Sequence, residues 1–568
     1  MSFRAPVQEI EFLLRHVVGF ETVSATKRFE EASSETVSAV LNEAGRMCEE
    51  VLAPLQRPGD LHPAHLENGI VRTSPGFAEG WRAIADGGWV AISASPEHGG
   101  MGLPVTLANA VNEMIASACL SLQIAPLMSQ GQIEALEHHA SDALKSLFLP
   151  KLTSGEWTGT MNLTEPQAGS DVGALTSRAE RNGDGTYAIS GQKIYISWGD
   201  HDVADNICHL VLARLPDGVA GTKGISLFLV PKRLPDEAGN PGVANSLGVV
   251  SLEHKLGLHG SPTCVMQYDG ATGWLVGQEH GGMAAMFTMM NNARLGVGSQ
   301  GIGVAEASYQ HALAYALDRK QGGNHPIADH ADVRRMLTSM KADIFAARAI
   351  ATACAVSIDM ETATHDPDWK SRAAFLTPIA KAFGTDVGNE VATTGVQIHG
   401  GMGFIEETGA AQFARDVRVT TIYEGTNGIQ AMDLVARKMM DGGDTAARLL
   451  DEIEAQAEWV HAKMPELDDL AEAVWQASES LRETTEWLAA RDDMQDRFAG
   501  AVPYLRAFAR VLGGHFHLSA AIADPGGART ALARFYMQRL LPEHVGLLAH
   551  AQSGAADLFA LSLDDLAA

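Results

Sequence analysis

The sequence predicts a mainly α-helical protein with one β-barrel domain set into its middle. Three observations carry this. Apolar residues recur at three- and four-residue steps through most of the first 150 residues and again beyond about 282, as they do along one face of a helix. Between about 160 and 275 the texture changes to short β-rich runs separated by glycine, the pattern of a small barrel or sandwich. Strand and helix nowhere alternate in the βαβ manner of a doubly wound parallel sheet.

Taken in order, Val7, Ile10, Leu13, Leu14, Val17 and Val18 predict a helix within residues 6–20, and the series from Val37 to Leu55 predicts a second. Glu97-His-Gly-Gly-Met-Gly-Leu-Pro104 is loop chemistry. Residues 107–150 are rich in alanine and leucine and read as helices, with prolines only at 126 and 150. Runs at 186–190, 193–197, 207–215 and 225–230 read as strands, with Asn182-Gly-Asp-Gly185 as a turn. Helical texture returns from about 282 to 440, clearest at Val304–Leu317 and Val333–Met360. A further helical region follows at 441–568, with one break at Pro525-Gly-Gly527. Its acidic pairs, Asp468-Asp469, Asp492-Asp493 and Asp564-Asp565, read as solvated faces. The expected domains are 1–160, 161–280, 281–440 and 441–568. Gly296-Val-Gly-Ser-Gln-Gly301 has the letters of a dinucleotide fingerprint but opens no βαβ unit, so a Rossmann site is disfavoured.

A formal charge of −27 over 568 residues argues against nucleic acid and anionic membranes as partners, though an anionic small ligand needs only a local cationic pocket. The five cysteines are scattered, with no metal-binding spacing, so reduced thiols and no metal are expected. The N-terminus lacks the pattern of a signal peptide, and no apolar segment is expected to reach the ~18 residues of a membrane span. These readings together predict a cytoplasmic protein.

Two stretches carry chemistry. In Tyr423-Glu-Gly425, Glu424 stands between an aromatic residue, which can raise a carboxylate's pKa, and a glycine, which admits close approach of another molecule. That suits a carboxylate base, although for the three residues alone a surface turn closed by glycine is the better reading. Met161-Asn-Leu-Thr-Glu-Pro-Gln-Ala-Gly-Ser-Asp-Val172 could turn N–H groups and hydroxyls toward a polar ring or a phosphate, or could be a capped turn.

Thr164-Glu-Pro-Gln-Ala-Gly-Ser-Asp171 resembles the T-E-P-x-A-G-S-D signature of acyl-CoA dehydrogenases. Gly191-Gln-Lys-Ile-Tyr-Ile-Ser197 is similar to that family's G-x-K-x-W-I strand, and Gln397-Ile-His-Gly-Gly-Met-Gly403 to its Q-x-x-G-G-x-G loop. The segment from Arg415 to Gln430 resembles its R-D-x-K/R-x-x-x-I-Y-E-G-T motif. The motifs stand in family order within residues 35–440. The resemblance implies the acyl-CoA dehydrogenase fold: a helical domain, a β-barrel and a four-helix bundle, here with a helical C-terminal extension. It also implies an FAD-dependent oxidoreductase that converts an acyl-CoA thioester to a trans-2-enoyl-CoA, with electron-transferring flavoprotein as acceptor, working as a homodimer or homotetramer.

By that resemblance Glu424 is the base that removes the α-proton while the β-hydride passes to flavin N5. Its backbone N–H and the ribityl 2′-hydroxyl of FAD would polarise the thioester carbonyl, as the developing charge requires. Gly425 would leave room for the thioester. Met161, Leu163, Thr164, Ser170, Tyr195, Ile196 and Ser197 are expected around the flavin, with Tyr195 in place of the usual tryptophan. Arg319 is expected at the FAD pyrophosphate of a neighbouring subunit, although Gln321-Gly-Gly323 lacks the usual aromatic. Gln397, Gly400 and Gly401 would cradle the adenosine half across the same interface. Thr426 would hold FAD phosphate, and Gly428 stands where many relatives carry glutamine. Ser170, Asn291 and Arg294 are expected on the substrate side, Asn291 replacing a common aspartate. Some relatives place the base just before the arginine that matches Arg294; here that residue is Ala293, which cannot act as one. Glu165 reads as structural.

The start from Phe3 to Phe12, the extension and Tyr423–Gln430 together resemble most the long bacterial branch of the family, which includes enzymes for 3-methylmercaptopropionyl-CoA and for ordinary fatty acyl-CoAs. A short acyl chain is expected, 3-methylmercaptopropionyl-CoA first among them. A medium- or long-chain fatty acyl-CoA dehydrogenase of β-oxidation and a flavoprotein oxidase of the same fold are the alternatives. Nitroalkane-oxidising relatives use an aspartate base, and a non-catalytic flavin-binding subunit would be expected to lose the base. Membrane association of the extension, as in very-long-chain relatives, is opposed by Glu452, Glu454, Glu466, Asp468, Asp469 and Glu472.

Overall fold

A computed structural model describes residues 3–568 as two compact units. One comprises 3–5 and Ala39–Gly296; the other comprises Pro6–Ser38 and Val297–Ala568.

The first unit is built on helix α1, Val105–His139, whose side chains are almost all buried. By length and composition α1 could cross a membrane, which corrects the expectation of no such segment, but 94% of its most apolar window is buried inside the protein. It is a core helix that carries its own polar pairs, such as Asn112 donating to Gln130 at 2.7 Å. Pro126 lies within it, and Cys119 is its one non-helical residue (φ −157°, ψ 91°).

The main sheet of this unit comprises β1 Trp157–Asn162, β2 Arg178–Arg181, β3 Tyr187–Ser197, β4 Asn206–Arg214, β5 Ile225–Pro231, β6 Leu247–Leu252 and β7 Thr263–Val276, beside two short two-stranded hairpins. Strands β7, β3, β2, β4 and β5 pair in that order, and β5 pairs back to β7, so five strands close into the expected barrel. β6 adds antiparallel to β7, and β1 adds parallel to β4. Ile189, Ile196, Val211, Phe228, Val230 and Tyr268 fill the core. The runs at 186–190 and 193–197 form one strand rather than two. Gly191 takes φ 143°, which an L side chain rarely adopts, and a Cβ there would meet the Ser177 hydroxyl at 2.3 Å. β1 lies hard against α1: the Gly159 N–H donates to Ser129 Oγ at 3.0 Å.

Helix α2, Gly282–Asp318, starts in the first unit and ends in the second, followed there by α3 Ala331–Thr364 and α4 Pro367–His399. Beyond a short helix at Ala410–Val417 comes α5 Asn427–Asp433, also short, which runs on as a π turn to Lys438. The glycines of the 296–301 stretch lie inside α2 and serve packing. A Cβ on Gly301 would meet the Gly384 carbonyl oxygen at 2.4 Å, and one on Gly388 would meet that of Gly301 at 2.7 Å, so α2 and α4 touch through their backbones.

The extension adds α6 Met494–Ala523 among shorter helices. Arg506 joins it to α4 by pairing with Glu390 at 2.6 Å, and Arg510, paired with Asp343, joins it to α3. The first helix, Val7–His16, is tied to the extension by Arg529, which donates to Glu9 at 2.7 Å and lies over Phe12 at 4.2 Å. The acidic pairs cap and pair helices: Asp493 caps α6, Asp469 meets Arg534 at 2.9 Å, and Asp565 closes a capping box with Ser562. Among the described residues no disulfide forms, and all five cysteines are buried.

Candidate active site

The expected site residues fall in both units. In the first, β1 delivers Met161 to its end and the chain continues into a loop anchored by one side chain. Glu165 is 3% exposed and accepts from Thr176 N (2.7 Å), Thr176 Oγ1 (2.9 Å), Ser177 N (3.1 Å), Gln167 Nε2 (2.7 Å) and Lys193 Nζ (2.8 Å). Burial alone would raise this carboxyl; the Lys193 charge and the converging donors outweigh it and hold it at about 2. Glu165 is thus a structural anchor, as expected. Lys193, fully buried on β3, also donates to the Leu163 carbonyl at 3.0 Å, while Ile194 N donates to that of Thr164 at 3.0 Å.

Around this rigid base the surface is open. Thr164 and Ser197 are half-buried and Ser170 is exposed. Ile196 is buried beside Tyr195, which has φ 59° and is 61% exposed. An aromatic held in a left-handed conformation with its face uncovered fits a flat ring stacked on it. On α2, Arg294 is 6% exposed rather than on the surface, and its Nη1 donates to Asn291 Oδ1 at 3.4 Å.

In the second unit Glu424 sits half-buried in the turn that precedes α5, at φ 57°. Gly425 follows at φ 85°. A left-handed non-glycine residue costs roughly 1–2 kcal/mol, so this turn is held by its surroundings. Gln430 Nε2 donates to the Glu424 carbonyl at 3.1 Å, and Lys381 Nζ donates to that of Gly425 at 2.9 Å. Tyr423 donates its hydroxyl to Gln300 on α2; burial and the Glu424 charge raise its phenol far above the ordinary value, so it stays protonated. Thr426 caps α5, its Oγ1 accepting from Ile429 N at 3.2 Å, and a hydroxyl that accepts in this way can still donate its own proton.

Arg319, Gln397, Gly400 and Gly401 gather elsewhere. Tyr315, one turn before Arg319, stacks on His399 at 4.4 Å. Arg319 and Gln397 are exposed, and both glycines are open to solvent. Gln397 lies sixteen residues beyond Lys381 on α4, about 24 Å along its axis, so this group does not join Glu424 within one chain.

Sequence reasoning missed Lys193, Lys381, Asn427 and Gln430. A signal existed for Lys381: it is one cation in the apolar stretch Leu376-Thr-Pro-Ile-Ala-Lys-Ala-Phe383, and buried lysines are rare unless paired.

Four family models match in succession along the chain: acyl-CoA dehydrogenase N-terminal domain at 34–156, middle domain at 160–271, C-terminal domain at 280–440, and acetyl-CoA dehydrogenase C-terminal like at 449–562. It is 45% identical over 564 residues to 3-methylmercaptopropionyl-CoA dehydrogenase of Ruegeria pomeroyi, covering 95% of this chain and 94% of that one. The chain belongs to the acyl-CoA dehydrogenase family. It is also 34% identical to a butyryl-CoA dehydrogenase of Syntrophomonas wolfei, over 76% of this chain and 77% of the other. Among solved structures, Caenorhabditis elegans ACDH-11 in complex with C11-CoA superposes with a TM-score of 0.79 at 20% identity, covering 95% of this chain and 92% of that one. Butyryl-CoA dehydrogenase from Megasphaera elsdenii gives 0.60 at 27% identity, covering 70% and 96%. The protein is therefore an oxidoreductase of a flavoprotein family, and the first of these structures shares the extension's fold as well.

Proposed function

We propose that this acyl-CoA dehydrogenase binds FAD and oxidises a short acyl-CoA, with 3-methylmercaptopropionyl-CoA as its substrate and Glu424 as its base. The observation that carries the reading is the turn at Glu424: a carboxylate on a left-handed residue whose carbonyl, and the next, are each held by a buried side chain. The Glu424 carboxylate takes the proton from the carbon next to the thioester carbonyl. The backbone N–H of the same residue donates to the carbonyl oxygen as negative charge gathers there, and Gly425 offers no side chain to obstruct the thioester. Leu163, Thr164, Tyr195 and Ser197 would hold the isoalloxazine, Ser170 and Thr426 phosphate-bearing parts, and Arg294 with Asn291 the CoA side. Bound FAD supplies the acceptor for the hydride lost from the β-carbon. The choice of substrate rests on the likeness to the Ruegeria pomeroyi enzyme along nearly the whole chain.

The purified protein mixed anaerobically with acyl-CoAs of graded length is expected to lose its flavin colour fastest with 3-methylmercaptopropionyl-CoA. Faster bleaching by long-chain thioesters would reassign the substrate, and rapid reoxidation by oxygen without electron-transferring flavoprotein would favour the oxidase.

The distance along α4 between Lys381 and Gln397 supports a subunit whose Arg319, Gln397, Gly400 and Gly401 serve a neighbour's FAD. Light scattering of the holoprotein is expected to give a dimer or tetramer; a monomer with full FAD would end this reading.

A further inference from the structure

We infer that Lys381 is a positioning residue for the reaction: it fixes the Glu424–Gly425 turn so that the base and its backbone N–H face the same substrate carbon and carbonyl. The inference rests on Glu424 being the base.

Lys381 lies mid-way along α4 with 0% of its surface exposed. A buried lysine needs hydrogen-bonding partners and a counter-charge. Its Nζ donates to the Gly425 carbonyl at 2.9 Å and to Asn427 Oδ1 at 2.8 Å. Asn427 in turn donates through Nδ2 to Asp386 Oδ1 at 2.7 Å. The amide thus links ammonium to carboxylate, oxygen toward the one and nitrogen toward the other. Asp386 and Lys381 are five residues apart on the same helix, so this polar chain grows from a rigid support. Thr385, between them, also meets Asn427, its Oγ1 accepting from Nδ2 at 3.0 Å.

The consequence is local and directional. Glu424 and Gly425 are consecutive left-handed residues, so the 424–425 and 425–426 peptide planes, read back through the backbone angles of Glu424, constrain where its side chain and its N–H, which lies in the preceding peptide plane, point. Gln430 holds the first plane by its carbonyl and Lys381 holds the second. A third contact restrains the far side: Asn427 opens α5, whose N-cap Thr426 follows Gly425 directly. Lys381 therefore bonds the turn at two points, Gly425 and Asn427, which flank Thr426. A methionine in its place would fill the space and leave both oxygens without this donor.

The test compares Lys381→Met, Lys381→Arg and Glu424→Gln holoproteins. Two readouts besides turnover are the flavin absorbance with its melting temperature, and the long-wavelength band formed with a 3-thiaacyl-CoA, a ligand that gives up its α-proton on binding without being oxidised. Lys381→Met is expected to keep FAD, to lose the band and to lower kcat by about 100-fold with KM unchanged; Lys381→Arg, which keeps a cationic donor, should recover part of both. A Lys381→Met protein with wild-type kcat and band would overturn the inference. If Lys381→Met fails to retain FAD, Asn427→Leu, which leaves the ammonium but removes its second acceptor, is expected to show a smaller fall in the same band, and an unchanged band there would equally overturn it. If Glu424→Gln turned over normally, the base assignment itself would fail; if that variant is inactive while the Lys381 and Asn427 variants behave as wild type, only the positioning role falls.

Discussion

Glu424→Gln is expected to lower kcat by about 10⁴-fold, the upper end of what a general base contributes, while the protein stays yellow and still binds acyl-CoA. The upper end applies because proton removal from a weakly acidic carbon is the reaction itself. Glutamine has nearly the same shape as glutamate and cannot take the proton. The turn should survive the change, because the Gln430 and Lys381 bonds arrive at backbone carbonyl oxygens, which glutamine at position 424 leaves in place. Rapid-mixing measurement of flavin reduction separates the loss of chemistry from any loss of binding. Normal reduction by this variant would remove Glu424 from the mechanism, and Ala293 could not take its place.

Much of this fold was legible in the sequence, and the exceptions have physical causes. Periodicity placed the long helices because their buried faces repeat every three or four residues. It extended the helix from Val37 to Leu55 as one piece, whereas the α-helix ends at Met47 and continues as a π turn and then a 3₁₀ turn. Pro54 has no N–H to donate, and apolar spacing carries no trace of that. It also missed how apolar α1 is, since scattered buried polar residues such as Asn109, Asn112 and Gln123 break its runs without exposing it. At the site, most of the residues proposed to meet a ligand stand in short motifs and were read as a group. The residues that hold them were not: Lys381 lies 43 positions before Glu424, and its role depends on α4 passing behind a turn, which no local pattern encodes. Lys193 stood inside a recognised motif, yet only the structure joins it to Glu165.

That second lysine carries the other large effect. Lys193→Met is expected to destabilise the barrel unit by about 3–5 kcal/mol, the cost of leaving a buried charge without its partner, and to weaken flavin retention because the Leu163 carbonyl loses its donor as well. Burial lowers Lys193 to about 8 even beside Glu165, so both groups remain charged at neutral pH. The acid side carries the linkage, because five donors converge on the carboxylate. Its folded value of about 2 lies below the ordinary 4.5, so the folded state holds fewer protons between those two values. The contribution of Glu165 ionisation is therefore complete above about pH 4.5 and is lost as pH falls toward 2, on the order of 3 kcal/mol, while the lowered Lys193 value opposes it at neutral pH and does not change across that acid range. Urea midpoints followed by tryptophan fluorescence across that range should show the decline in the wild-type protein and a flatter profile in Lys193→Met, where Glu165 has no cation to lower it. An equally steep acid decline in the variant would mean that other carboxylates govern acid stability, or that the donors of Thr176 and Ser177 hold Glu165 ionised without the lysine.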